Sequence, residues 1–152
     1  MWESLVVIGT DPGGPLLDVD YAVVMNQPTQ TRIVIAERQT VVRSALRRFL
    51  GQQPGLYVVG EAAEDQELLA QLEVACPDLV LLDWDLPGRP VADLIPALRR
   101  PDCQPAVIVL AVRPEPAQSA LDAGAEAFVY KGESPKRLLT TIRGVMLERG
   151  HG

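Results

Sequence analysis

The chain has 152 residues, 47% hydrophobic and 22% charged, which suits one globular domain with a full core. Its formal net charge of -6, with no long run of Lys or Arg, argues against nucleic-acid binding, which needs clustered basic groups to neutralise phosphates. No apolar run approaches the roughly 18 residues of a membrane helix, and the N-terminus lacks a basic region followed by an apolar core, so the sequence reads as cytoplasmic with no membrane contact. Cys76 and Cys103 are isolated, with no CxxC and no paired His. Zinc is therefore not expected, a disulfide does not follow from the sequence, and reduced thiols are the expectation.

In chain order, residues 1–30 come first and stand outside the pattern of the rest. LVVIG (Leu5–Gly9) and YAVVM (Tyr21–Met25) read as strands flanking GTDPGGPLLD, whose Pro12 and Pro15 make it a loop. Proline removes the backbone donors a phosphate cradle depends on, so the segment is read as an extra hairpin or an extension. From Thr31 onward short β-branched runs alternate with helical spacing, the signature of a parallel sheet with crossover helices. The strand-like runs are Arg32–Ala36, Leu56–Val59, Leu79–Leu82, Val107–Leu110 and Ala127–Tyr130. They are nearly all apolar, as expected where helices cover both faces.

Between the first two runs, Val42, Ala45, Leu46, Phe49 and Leu50 make an apolar helical stripe opposite Arg43, Arg47 and Arg48. Leu69 and Leu72 mark a second helix, Leu94 and Leu98 a third, and Ala117 to Ala123 a weaker fourth. The last helix carries the stripe Leu138, Ile142, Val145 and Met146, with Ser134 as N-cap and Pro135 at its first position. The fold class is therefore α/β, a five-stranded parallel sheet with helices on both faces, expected to be doubly wound in the known flavodoxin-like order 2-1-3-4-5. The expected domain spans 31–148, followed by a tail at 149–152 in which His151 has no evident partner.

In such a sheet ligands sit beyond the carboxyl ends of the strands, where the strand order reverses. Those ends carry Glu37 and Arg38 after the first strand, Asp83 and Asp85 after the third, Ala111 after the fourth and Lys131 after the fifth. The stretches IVIAERQTVVRSALRRFL, PDLVLLDWDLPG, VIVLAV and DAGAEAFVYKGESPKRLLTTIRGV, with the spacing between them, resemble the receiver domains of bacterial two-component response regulators. In style they are similar to the receivers that precede LuxR-type DNA-binding domains. The resemblance implies a phosphoacceptor at Asp83, the family's active-site lysine at Lys131, an aromatic switch at Phe128 and a proline turn at Pro87. It also implies a sensor histidine kinase or another signalling protein as partner, and a homodimer by analogy.

Three positions depart from the family pattern. Two acids expected after the first strand are Glu37 and Arg38; a Ser or Thr after the fourth strand is Ala111; and Asp-Gly further on is Pro90-Val91. Magnesium binding rests on carboxylate oxygens, and here Glu37 and Asp83 face Arg38 and Lys131, for a local sum of zero. An Arg38 to Asp83 pair about 4 Å apart, attracting by roughly 4 kcal/mol at an effective dielectric near 20, would compete with the metal. Asp85 could lend a third carboxylate and restore a weak metal site of Glu37, Asp83 and Asp85. Asp83 could also simply cap a turn two residues on, and Trp84 is read as a packing residue. The sequence thus suggests a non-enzymatic receiver with weak or absent phosphorylation. An ordinary magnesium-dependent receiver and a flavodoxin-like nucleotide binder are the alternatives.

Overall fold

A computed structural model describes residues 30–150. The hairpin or extension expected before Thr31, and His151, lie outside the described residues. The elements are β1 (Thr31–Ala36), α1 (Thr40–Gly51), β2 (Leu56–Ala62), α2 (Asp65–Ala75), β3 (Leu79–Asp83), α3 (Val91–Ala97), β4 (Ala106–Ala111), α4 (Ala117–Asp122), β5 (Ala127–Tyr130) and α5 (Pro135–Glu148). The five strands are parallel and lie in the order β2-β1-β3-β4-β5. Each expected strand is present, and β2 runs on from Val59 to Ala62, with a register shift opposite Ile33 and Val34.

Strand side chains alternate between faces with a period of two, so each apolar run feeds two cores at once. Ile33, Ile35, Leu79, Leu81, Ile108 and Leu110 pack on one side with Leu50 of α1 and with Leu138, Ile142, Val145 and Met146 of α5. Val34, Ala36, Val80, Leu82, Val107 and Val109 pack on the other with α2, α3 and α4. Every residue of β3 and β4 is buried, which is why neither run shows a polar face.

The structure alters four expectations. In α1, Phe49 and Leu50 are buried, but Val42 and Leu46 are only half-buried and Ala45 is exposed. The upper turns of α1 and α5 leave an apolar groove between them, so the stripe is covered only at its lower end. In α2 the buried apolar residues are Leu68 and Leu72 rather than Leu69. Ser134 and Pro135 do open α5, yet the serine side chain makes no capping bond. Finally, Cys76 and Cys103 are joined in a disulfide, with Cα atoms 5.7 Å apart across 27 residues of sequence, instead of standing as free thiols. The topology brings the end of α2 beside the turn before β4, a proximity that sequence spacing does not encode.

Candidate functional site

Parallel strands of matched length deliver their carboxyl ends to one edge of the sheet, and β3 sits there between β1 and β4. Asp83 ends β3, Glu37 follows β1, Ala111 ends β4 and Lys131 follows β5. The Lys131 backbone N–H donates to the Ala111 carbonyl at 2.7 Å, which pins the start of the lysine chain to β4. Its ammonium then reaches across the strand ends. Lys131 Nζ lies 2.8 Å from Glu37 Oε1 and 3.2 Å from Asp83 Oδ1. Both carboxylates are 0% exposed, so this cation is their nearest compensation inside the protein.

The other oxygens are engaged as well. Asp83 Oδ2 accepts the Arg38 backbone N–H at 3.3 Å and faces Arg38 Nε at 3.7 Å. Asp83 Oδ1 also accepts the Asp85 N–H at 3.0 Å, so the aspartate caps the turn after β3 in addition to meeting the lysine. Glu37 Oε2 accepts the Gln39 N–H at 3.1 Å. The carboxyl of Glu37 titrates above its ordinary value. Burial is the largest cause, opposed by the hydrogen bonds from Lys131 and Gln39 and assisted by the negative charge of Asp83.

Set beside the sequence, the cluster gathers Glu37, Asp83, Lys131 and Arg38 but reverses the weights of the two cations. Lys131 holds both acids, whereas the Arg38 side chain is 44% exposed and makes only the longer contact. Asp85 contributes its backbone; its side chain is exposed and makes no hydrogen bond or ion pair to Glu37 or Asp83. Ala111 is buried and presents a methyl group where the family pattern expects a hydroxyl. Trp84 is half-buried against the α2–α3–α4 side of the core, as a packing residue is, and Phe128 is half-buried on the same side.

Two contributors escaped the sequence reading. Gln39 donates its N–H to Glu37, and Asp65, a buried acid in the first turn of α2, holds the loop after β3. Asp65 Oδ2 accepts the Arg89 N–H at 3.0 Å and faces Arg89 Nε at 3.8 Å, while its own N–H donates to the Pro87 carbonyl at 3.0 Å. Gly88, at φ 117°, passes over this carboxylate so closely that a β-carbon would overlap it. A Pro-Gly pair facing an acid at a helix start was the signal available in the sequence.

The family pattern implies magnesium, and the oxygens of Glu37 and Asp83 that would meet it have partners within the protein in this structure. All four oxygens of Glu37 and Asp83 already accept or face a donor from within the protein. Among the described residues no three His, Cys, Asp or Glu side chains gather where they could share an ion. A hard dication requires several free oxygen ligands, and each one here would have to leave a charged or backbone partner first.

Beside the cluster, a groove of about 410 Å³ runs between α1 and α5, lined by Val42, Leu46, Val129, Leu138 and other largely apolar residues. Val41 and Val112 are exposed at its rim, and Lys131 belongs to the same wall. No described helix is long and apolar enough to cross a membrane.

Comparison with known proteins agrees with this fold. Residues 33–143 match the response regulator receiver domain family. The chain is 38% identical over 115 residues to the transcriptional regulatory protein YhcZ of Bacillus subtilis, covering 72% of this chain and 52% of that protein. It is 32% identical over 130 residues to the transcriptional regulatory protein PdtaR of Mycobacterium tuberculosis, covering 85% and 60%. A LuxR-family two-component response regulator from an Aurantimonas species superposes with a TM-score of 0.73 at 27% identity, covering 79% of this chain and 87% of the other. The chain thus spans between half and three-fifths of the length of these curated relatives.

Proposed function

The chain belongs to the response regulator receiver domain family of two-component signalling, and from that premise we propose that it is an atypical receiver, with Asp83 in the phosphoacceptor position but poorly equipped for phosphorylation. The observation that carries this reading is the surround of Asp83: Arg38 Nε lies 3.7 Å from its Oδ2 and the buried methyl group of Ala111 ends β4, where the family pattern has an acid and a hydroxyl. Phosphoryl transfer is catalysed mainly by positioning and charge neutralisation. Here the neutralising charge is already spent on the acids, and Ala111 offers no hydroxyl to a phosphoryl oxygen, a bond worth roughly 1.5 to 3 kcal/mol to a charged acceptor. Magnesium binding is accordingly weak or absent in this reading, and the chain is not an enzyme.

The unit taken to signal is residues 31–148, acting in the cytoplasm through protein contacts. The apolar groove between α1 and α5 is the surface offered to a sensor histidine kinase or another signalling protein, because it joins exposed aliphatic side chains to the wall that holds Lys131. Self-association remains a second use for the protein's faces.

The test is a magnesium titration of a Trp2→Phe variant, read by the fluorescence of Trp84, paired with labelling by a small phosphodonor. The expected result is no saturable change at millimolar magnesium and only trace phosphate on the protein. Stoichiometric, magnesium-dependent phosphate that disappears in Asp83→Ala would establish the ordinary phosphoacceptor instead.

A further inference from the structure

At the pole of the sheet opposite Asp83 lies a group that the receiver chemistry does not use. Cys76 caps the end of α2, and Cys103 sits in the tight turn before β4, where Arg100 and Cys103 form an isolated bridge. The two sulfurs are bonded, and they account for both cysteines of the chain. Cys76 is exposed and Cys103 is buried, 5% accessible. A cleft of about 350 Å³ opens beside the bond, lined by Pro77, Asp78, Pro101, Asp102, Gln104 and Arg149.

Cys76 is also the one described non-glycine residue with positive φ, at 39°, a conformation that a β-carbon disfavours. Arg32 Nη1 steadies it by donating to the carbonyls of Ala75 at 2.7 Å and Cys76 at 3.1 Å. The bond therefore fastens a segment that local preference would let relax. In reducing compartments, disulfides of this kind are mostly transient, catalytic or redox-sensing rather than permanent. That last step rests on the cytoplasmic placement proposed above.

We infer that Cys76 and Cys103 form a reversible redox site, a second input to this receiver at the pole opposite Asp83, exchanging with a dithiol reductant. A thiolate of the reductant attacks Cys76 Sγ through the open cleft, forming a mixed disulfide and releasing Cys103 as a thiolate that takes a proton. The second thiol of the reductant then attacks the mixed disulfide, freeing Cys76 as a thiol and leaving the reductant oxidised by two electrons. The reverse exchange with an oxidised dithiol closes the bond. The consequence is a change in how firmly the end of α2 is held to the entry of β4, without any change in the residues around Asp83.

The full chain is equilibrated without denaturant in mixtures of oxidised and reduced dithiothreitol, alkylated with iodoacetamide and weighed by mass spectrometry, with Tm measured in parallel. The expected result is no alkylation at the oxidising end, two alkylations at the reducing end, and a Tm lower by about 10 °C in the reduced protein. A Cys76→Ser, Cys103→Ala double variant should melt at one temperature across the series. Two free thiols throughout, disulfide-linked dimers, or a bond that opens only once denaturant is added would each overturn the inference. Because the readouts are thiol count and Tm, failure here is distinguishable from failure of the receiver reading, which is decided by phosphate on Asp83.

Discussion

The two ends of the sheet differ in how deeply their charges are buried. At the carboxyl end, Glu37 and Asp83 are neutralised by other ionisable side chains, Lys131 and, at longer range, Arg38. At the amino end the charged groups are more exposed, and besides the ion pairs of Glu126 with Arg99 and Arg149 they hold backbone. Arg32 caps α2, Asp78 Oδ2 accepts the Arg32 N–H at 2.8 Å, and Glu126 Oε1 accepts the Val107 N–H at 2.8 Å. Charges bonded to backbone fix where strands begin and have one stable arrangement. Charges bonded to one another can be redistributed by a proton, a metal or a substitution, and that is the end where receivers do their signalling.

The contrast breaks most sharply at Lys131. Lys131→Met leaves two fully buried carboxylates without their shared cation, and should lower stability by about 3–5 kcal/mol in urea denaturation. Adding Asp83→Asn to that variant should recover part of the loss, as a double-mutant cycle would show. At the opposite end, removing the disulfide with Cys76→Ser and Cys103→Ala should cost about 3.5 kcal/mol, from the entropy of the freed 27-residue span, measured under oxidising conditions.

Gly88→Ala tests the loop that joins the carboxyl end to α2. It strains a positive-φ position and presses a methyl group onto the Asp65 carboxylate, and should cost about 2 kcal/mol in thermal melts. Arg38→Ala should change stability by less than about 1 kcal/mol, because the side chain is half-exposed. It should also bring a saturable magnesium response into the millimolar range of the Trp84 titration, where the parent protein shows none, through loss of a competing positive charge.

The smallest effect sharpens the comparison through pH. Since Glu37 titrates above its ordinary value in the folded protein, the native state keeps this proton at pH values where the unfolded chain has lost it. Stability therefore falls as pH rises from the ordinary glutamate range through the folded value, and is flat above it. Glu37→Gln, which keeps acceptors for Lys131 and Gln39, should remove that slope in urea melts taken across the window.

Much of this was legible from residue patterns. The runs RIVIA, LVLL and VIVL announced strands buried on both faces, and the stripe from Leu138 to Met146 announced α5. The positions of Asp83, Lys131 and Phe128 followed from the resemblance to receivers. The patterns put more weight on Arg38 than on Lys131, left Asp85 as a third carboxylate for a weak metal site, and passed over Asp65. A side chain's identity states its charge, but its partner depends on which loop delivers it, and loops obey no period.

The sequence by itself determined the alternation of strands and helices and the identity of the residues at the sheet's carboxyl edge, because burial on two faces imposes periods that can be read along the chain. Only the tertiary structure decided that Lys131 closes on both acids, that Asp85 turns outward and that Cys76 meets Cys103. Those pairings depend on where separate crossovers set down their ends. Contacts across 94, 48 and 27 residues of chain are fixed by packing, not by local preference.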